Sequence, residues 1–306
     1  MGLFVEIILQ SSLKMSVTAL VTLAITIIFK TSFTTNFSQG VISAFGAFVA
    51  SYAISTMNVP LFLAIPIGML VSMLIALFVD VVIFRNGRYV NALGKQIITM
   101  GLISLITGAI PLIFGLSDYT ISPMTGTGEI WTIDFGADQQ ASVSVDYLIG
   151  LGIAAVVIAA IFILLRFSKW GLSVRATASN EYVAGMMGIN THLVTAISWG
   201  LAGALGALAA CINASCGGNV VTSFFMTETQ VIAFIAGILG GFSTFHGPVI
   251  AAFMIPLANN LVVYFLSIAN LNEYTEWSMA IVYAIALVII FFKPQGIFGK
   301  KIARKV

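Results

Sequence analysis

The sequence predicts an all-α fold: a polytopic membrane helix bundle of about nine transmembrane segments, two of them short or broken. Three observations lead there. Of the 306 residues, 59% are hydrophobic and 8% are charged, whereas a water-soluble domain carries about 25% charged residues. The apolar residues gather into nine runs, and a helix needs about 20 such residues to span the hydrocarbon of a bilayer. The Lys and Arg residues are also sorted by loop. Apart from Lys14 they fall at Lys30, in the Arg85–Lys95 connector, in the Arg166–Arg175 connector and in the tail from Lys293 to Lys305. Basic loops mark the cytoplasmic side of a membrane protein. Most acids fall elsewhere: Glu6, the loop with Asp118, Glu129, Asp134, Asp138 and Asp146, then Glu228, Glu273 and Glu276. Nine crossings, N-terminus outside and C-terminus inside, put every basic loop on one side, and no simple even count does.

Taken in order, the first run, Ile7–Phe29, is closed by Lys30. The second, Val41–Met57, opens from a polar stretch, Thr34 to Gly40. Its Ser43, Ala47 and Ser51 lie four apart and share a helix face, which lets backbones approach closely. The third, Leu61–Phe84, ends at Arg85. The fourth, Ile97–Phe114, leads into a long acidic loop, 117–146, that holds Trp131 and either faces a partner or caps the bundle. The fifth, Tyr147–Leu165, leads into a basic loop, 166–191. The sixth, Leu193–Ile212, carries Gly200, Gly203 and Gly206 three apart. Cys211 and Cys216 fall near its outer end and read as free thiols, with a disulfide as the alternative. The seventh, Val231–Leu239, is short and ends in Gly240-Gly241-Phe242-Ser243-Thr244-Phe245-His246-Gly247-Pro248. Val249–Ile268 and Trp277–Phe292 complete the set. Residues 1–306 thus read as one membrane domain. The start, MGLFVEIILQ, lacks the basic n-region and cleavage site of a removable signal peptide.

The second and seventh segments stand one in each half of the chain. Short or Gly/Pro-interrupted segments at corresponding positions point to a transport pathway built from inverted repeats, although ordinary helices with polar flanks give the same pattern. On the pathway reading Asn36, Ser38, Gln39, Gly40, Phe45 and Gly46 serve in one half, and Gly237, Gly240 and Gly241 in the other.

No cofactor is expected in the chain itself. Gly94-Lys95 and Gly299-Lys300 lack the Ser or Thr of a phosphate-binding loop. His192 and His246 sit in separate loops, which gives no metal cluster. Asp80 lies about a turn from Arg85, and Lys14 and Glu228 fall near the outer boundary, so no ionisable group stands in mid-membrane as a proton relay requires. No catalytic set can be assembled, and the small net charge of +2 gives no reason for a nucleic-acid partner. Energy is expected from a partner.

In the loop after the fifth segment, Ser179 or Asn180 can cap a helix, Glu181 suits its positive end and Gly188 can stop it. The expectation is a short cytoplasmic helix exposing Tyr182, Met186 and Met187, a docking surface unless the bundle or the membrane interface covers it. Ala184 and Gly185 are small enough for a close partner.

This segment resembles the coupling loop of permease subunits of branched-chain amino acid ABC transporters at Gly171, Leu172, Arg175, Ala176, Ala184, Gly188, Ile189 and Asn190. Asn36-Phe37-Ser38-Gln39-Gly40 is similar to the family's N-F-A-x-G. Gly240-Gly241 to Gly247-Pro248 is similar to its G-G-x-G-x-x-x-G-P turn, with Ser243 in place of the third Gly. Lys293-Pro294-Gln295-Gly296-Ile297-Phe298-Gly299 is similar to its C-terminal R-P-Q-G-L-F-G. The matches run in order over nearly the whole chain. The resemblance implies a non-enzymatic transport subunit in a bacterial or archaeal cell membrane, surrounded by lipid. It implies a second, related permease that completes the pathway, two cytoplasmic ATPase subunits that use the ATP, and an external solute-binding protein. A hydrophobic amino acid is the implied cargo. Urea, amide and nucleoside importers share much of the pattern, and a stand-alone carrier or channel is the alternative from another class.

Overall fold

The computed structural model describes residues 2–86, 90–134, 140–218 and 220–299. Asp138, the middle of the Arg85–Lys95 connector and the tail beyond residue 299 lie outside the described residues.

The nine apolar runs all become helices. They are α1 (Gly2–Ser32), α2 (Gln39–Met57), α3 (Leu61–Phe78, continued as a π-helical turn Val79–Phe84), α4 (Ala92–Phe114) and α5 (Val145–Phe167). After α6 (Lys169–Ser179) and α7 (Glu181–Met186) follow α8 (Thr191–Gly217), α9 (Thr227–Gly240), α10 (His246–Ile268) and α11 (Ser278–Phe292), the last preceded by a 3-10 turn Asn272–Trp277. Eight of the membrane-length stretches are long and apolar enough to cross a bilayer; α9, at 14 residues, is the short one. The 117–146 loop contributes a small antiparallel hairpin, β1 (Ile130–Asp134) with β2 (Gln140–Ser144), in register Trp131↔Val143. The sequence reading expected no strands there.

Local chemistry sets the helix ends. Pro60, at φ −64°, opens α3, where its missing N–H is not needed. The Asn91 side chain caps α4 by accepting from Gly94 N at 2.8 Å. Gly115, at φ +81°, ends α4 in a conformation that favours glycine.

α1 and α8 form the centre: 89% of the apolar window of α1 and 72% of that of α8 is buried, against 17% for α11. Buried α1 carries many hydroxyls, yet lipid-like surroundings supply no water to satisfy them. They bond back to the preceding turn instead: Ser11 Oγ donates to Ile7 O at 2.6 Å, Ser16 Oγ to Leu13 O at 2.7 Å and Thr26 Oγ1 to Thr22 O at 2.7 Å. Thr22 Oγ1 is the exception, without a partner among the described residues, and Ser11 Oγ in turn accepts from Asn260 Nδ2 of α10 at 2.7 Å.

Contacts fix the direction of each helix. Glu6, near the start of α1, accepts from Ser142 of β2 at 3.2 Å, and Lys30, near its end, bonds the Ser243 carbonyl. One end of the bundle is thus a hairpin face and the other a basic face. The C-terminal segment 293–299 lies at the basic face, where Ile297 N donates to Leu239 O at 2.7 Å. The described residues begin and end on opposite faces, as an odd number of crossings demands. α8 packs on α1, α2 and α3, as α1 packs on α8, α9 and α10. Units α1–α4 and α8–α11 run through the bundle in opposite directions, as an inverted repeat requires.

Candidate functional site

The two broken segments meet inside the bundle. α2 starts beside Ala202, eleven residues into α8 and so about 16 Å along it. The segment before α2 returns from the basic face; the segment before α9 returns from the hairpin face. The two helix starts are tied by Gln230. Its Nε2 donates to Phe37 O at 2.6 Å, and its Oε1 accepts from Gly40 N, an N–H of the first α2 turn with no helical partner. The Phe37 and Phe234 rings lie 5.2 Å apart beside this tie.

Asn36, Ser38 and Gln39 complete a closed polar knot. Asn36 Oδ1 accepts from Ser38 N at 3.0 Å and Ser38 Oγ at 2.7 Å, while Asn36 Nδ2 donates to Gln39 Oε1 at 3.1 Å. Gln39 Nε2 donates to Ala202 O at 2.9 Å. All three side chains are fully buried, and their bonds are used to hold backbone. In this conformation they line no open channel. Gly46 is likewise a packing site: a Cβ there meets Ala207 Cβ at 2.6 Å and Gly68 O at 2.9 Å. Phe45 packs against Phe114 with ring centroids 5.5 Å apart.

Gly237, Gly240 and Gly241 stand apart from this knot, at the basic-face end of α9. A Cβ on Gly237 runs into the Phe242 ring; one on Gly240 runs into the Gly247 backbone. Gly241 (φ +84°) and Gly296 (φ +84°) let the turn after α9 and the C-terminal segment pass in backbone contact. Thr244 Oγ1 accepts from Gly247 N at 3.2 Å and closes the turn. The sequence reading set these three glycines near the central pathway or its gates; the structure gathers them at a backbone junction on the basic face.

The basic-face connector contains two helices where one was expected. Ser168 Oγ accepts from Gly171 N at 2.9 Å and caps α6. Gly171 is pressed against the Leu165 carbonyl, leaving no room for a side chain. Arg175 reaches back to the carbonyls of Leu165 and Arg166. Gly171 and Arg175, expected to touch a partner, thus fold α6 onto α5. Asn180 Oδ1 accepts from Val183 N at 3.1 Å, so α7 starts where the cap residue said it would. Gly188, at φ +86°, ends it, with Ile189 N donating to Ala184 O at 3.1 Å. Asn190 then caps α8, accepting from Leu193 N at 3.1 Å.

Seven residues span α7 and its end. Tyr182, Val183, Met186 and Met187 are exposed on one side, and a Cβ on Gly185 meets nothing within 4 Å. Ala184 departs from expectation: only 3% exposed, it faces the chain's own bundle, because a six-residue helix anchored on α6 and α8 must bury one side. Glu181 lines a cleft of about 320 Å³ with Asp80, Arg85, Lys95, His192 and Thr195. In it Arg85 Nη2 donates to His192 O at 3.0 Å and Thr195 Oγ1 to Asp80 Oδ2 at 3.4 Å. The cleft links α7 to the basic ends of α3, α4 and α8. Among the described residues no three His, Cys, Asp or Glu side chains gather as a metal site, and Cys211 and Cys216 are free thiols.

Gln230 and the cleft around Glu181 were missed by sequence reasoning. A lone amide at the head of the short seventh segment was the signal for Gln230. Nothing local announces the cleft, whose residues are far apart in sequence.

A family described as "Branched-chain amino acid transport system / permease component" matches residues 7–290. The chain is 24% identical over 221 residues to the high-affinity branched-chain amino acid transport system permease protein LivH of Escherichia coli K12, covering 71% of this chain and 65% of that protein. It is 25% identical over 293 residues to the probable LivH of Methanocaldococcus jannaschii, covering 87% and 84%. The ribose import permease protein RbsC of Haemophilus influenzae is 24% identical over 275 residues, covering 86% and 76%. Among solved structures, PsaBC from Streptococcus pneumoniae in complex with Fab superposes with a TM-score of 0.51 at 14% identity, over 94% of this chain and 91% of that one. That likeness concerns the fold alone.

Proposed function

Because this chain belongs to the branched-chain amino acid transport permease family, matched from residue 7 to residue 290, we propose that it is the transmembrane subunit of an ATP-binding-cassette importer. Its hairpin face is outside the cell and its basic face, with α6, α7 and the C-terminal segment, is cytoplasmic. The cargo is a hydrophobic amino acid of the branched-chain class. The similarity to a ribose import permease favours one second reading, a sugar cargo on the same machinery.

The observation that carries this reading is α7. It is capped at Asn180, stopped at Gly188 and anchored by Ala184, and it presents Tyr182, Val183, Met186 and Met187 to the basic side. An apolar, rigid, short helix held outside the bundle suits insertion into a groove on another protein. The partner is one of two ATPase subunits. Closure of the ATPases around nucleotide moves α7, and the Glu181 cleft passes that movement to α3, α4 and α8. Differential binding of nucleotide then shifts the bundle between inward- and outward-facing states. A second permease completes the pathway, and an external binding protein delivers the solute to the hairpin face.

The test is retention of the ATPase on purification, together with cross-linking from a photoreactive residue at position 186. The reading expects a single cross-linked product with the ATPase and none with lipid. Purification of a fully active transporter without any ATPase overturns it and leaves a stand-alone carrier.

A further inference from the structure

The basic face holds another cavity, which shares no lining residue with the Glu181 cleft. Its volume is about 620 Å³, and it lies where α1 and α5 end and α10 begins. Lys30 comes from the last turn of α1, Arg166 from the last turn of α5, Arg175 from α6 and His246 from the first turn of α10. Among the described residues that line it, none is an Asp or Glu. Its apolar part includes Phe162 and Phe245, both half-buried.

Neutral groups hold the positive charge in place. Lys30 Nζ bonds the Ser243 carbonyl and stands 5.3 Å from the Phe245 ring centroid. Arg175 bonds the Leu165 and Arg166 carbonyls through Nη1; a guanidinium carries five N–H donors, so others remain. Arg166 stands 5.2 Å from the Phe167 ring centroid. Carbonyls and rings orient a cation without cancelling its charge. Three unit charges therefore act on one cavity, and an entering anion is drawn by all of them. The positive end of α10 adds to their field.

The surroundings say what kind of anion fits. The cavity is level with the ends of three membrane-length helices, where lipid headgroups lie. Ile163 stands one turn before Arg166 on the same face of α5, and Ile250 one turn after His246 on the same face of α10; both are exposed. An anion seated among the cations thus has apolar side chains beside it on the membrane side. A free phosphate has no use for them, whereas a phospholipid has acyl chains to lay there. We propose that this cavity binds the phosphate headgroup of an anionic phospholipid. Arg166 and Arg175 donate to the phosphate, Lys30 supplies charge behind it, and the acyl chains run over Ile163 and Ile250. Basic pockets between membrane helices take such headgroups, and the volume falls within the range of small-molecule sites, about 300–1,000 Å³. The site needs only the bundle's place in a membrane, not the importer reading or a cargo.

The test places the purified complex in phosphatidylcholine nanodiscs with rising fractions of phosphatidylglycerol whose acyl chains carry bromine near the headgroup. A bimane label on Ala178→Cys, which lines the cavity, reports quenching, in a chain with Cys216→Ala and with Cys211 buried. Ser179→Cys, exposed on the same cavity, is a second reporter. Val156→Cys, exposed midway along α5, reports ordinary surrounding lipid. Brominated phosphatidylglycerol should half-quench position 178 at a mole fraction about fivefold or more below that of brominated phosphatidylcholine, the gain expected of a single Lys or Arg beside anionic lipid. The two lipids should act alike at position 156. Arg166→Gln should raise the half-quenching fraction about fivefold, and Arg166→Lys should restore it, with thermal stability unchanged in both. Equal quenching by the two lipids at position 178, or a preference that survives Arg166→Glu, overturns the proposal. A preference that inorganic phosphate abolishes at constant ionic strength assigns the cavity to free phosphate and likewise overturns the lipid site. Neither uptake nor ATP enters the measurement, so its failure leaves the importer reading standing.

Discussion

Replacing Gln230 by Leu tests the tie between the two broken segments. The side chain keeps its volume, but Phe37 O and Gly40 N lose the partners that Gln230 gives them. Gly40 is buried and its N–H belongs to the first turn of α2, so no helical carbonyl can take over. Leaving a buried donor or acceptor unmade costs about 1–3 kcal/mol each. Hydrogen bonds between membrane helices run weaker, about 0.6 kcal/mol on average. The lower half of the first range is therefore apt, and the pair together loses about 2–4 kcal/mol. At about 2–4 °C per kcal/mol, the unfolding transition in detergent should fall by about 4–16 °C. The assay is thermal unfolding of the purified complex, followed by burial of Cys211, which is fully buried in the native bundle. ATP-driven uptake should fall with it, since the tie sets the spacing of the half-helices. A transition within a degree of the parent, with normal uptake, refutes the reasoning.

Gly46→Leu and Gly240→Leu should both lower the yield of folded protein, beyond the about 1–3 kcal/mol of ordinary overpacking, because each puts a side chain into backbone; size-exclusion profiles of the detergent extract check this. Gly185→Trp should leave the fold unchanged, as nothing lies within 4 Å of its Cβ, yet remove the ATPase on purification. Glu181→Lys opposes the α7 dipole and should cost only about 0.3–1 kcal/mol, read as a mild loss of solute-stimulated ATP hydrolysis. Cysteines at positions 129 and 175, both exposed, should label with an impermeant reagent from opposite sides of the membrane, position 129 on intact cells and position 175 only after permeabilisation.

The helices were legible because their signal is local: apolar length, Lys30 and Arg166 at run ends, Asn180 and Gly188 around α7. The second and seventh segments were marked as unusual by the polar stretch at 34–40 and the Gly-rich turn at 240–248, and both prove to be discontinuities in the fold. What those residues do was less legible. Asn36 and Gln39 look like solute contacts in a list of polar residues, yet their bonds go to Ser38, to each other and to Ala202. Polar groups inside a membrane bundle must satisfy backbone first, and sequence alone does not say which have done so. Gly240 and Gly241 meet Gly247 and the C-terminal turn in backbone contact, and the second of these partners lies too far along the chain for the sequence to announce it. α6 was missed because its anchor, Arg175, acts through carbonyls at the end of α5.

The most direct measurement is solute uptake by vesicles containing the complex, with ATP supplied on one side only. The account predicts uptake when ATP reaches the face that carries α6 and α7, none when it reaches only the hairpin face, and loss of uptake in Gly185→Trp despite normal assembly of the membrane domain. Uptake that proceeds without ATP, or that survives Gly185→Trp unchanged, contradicts it.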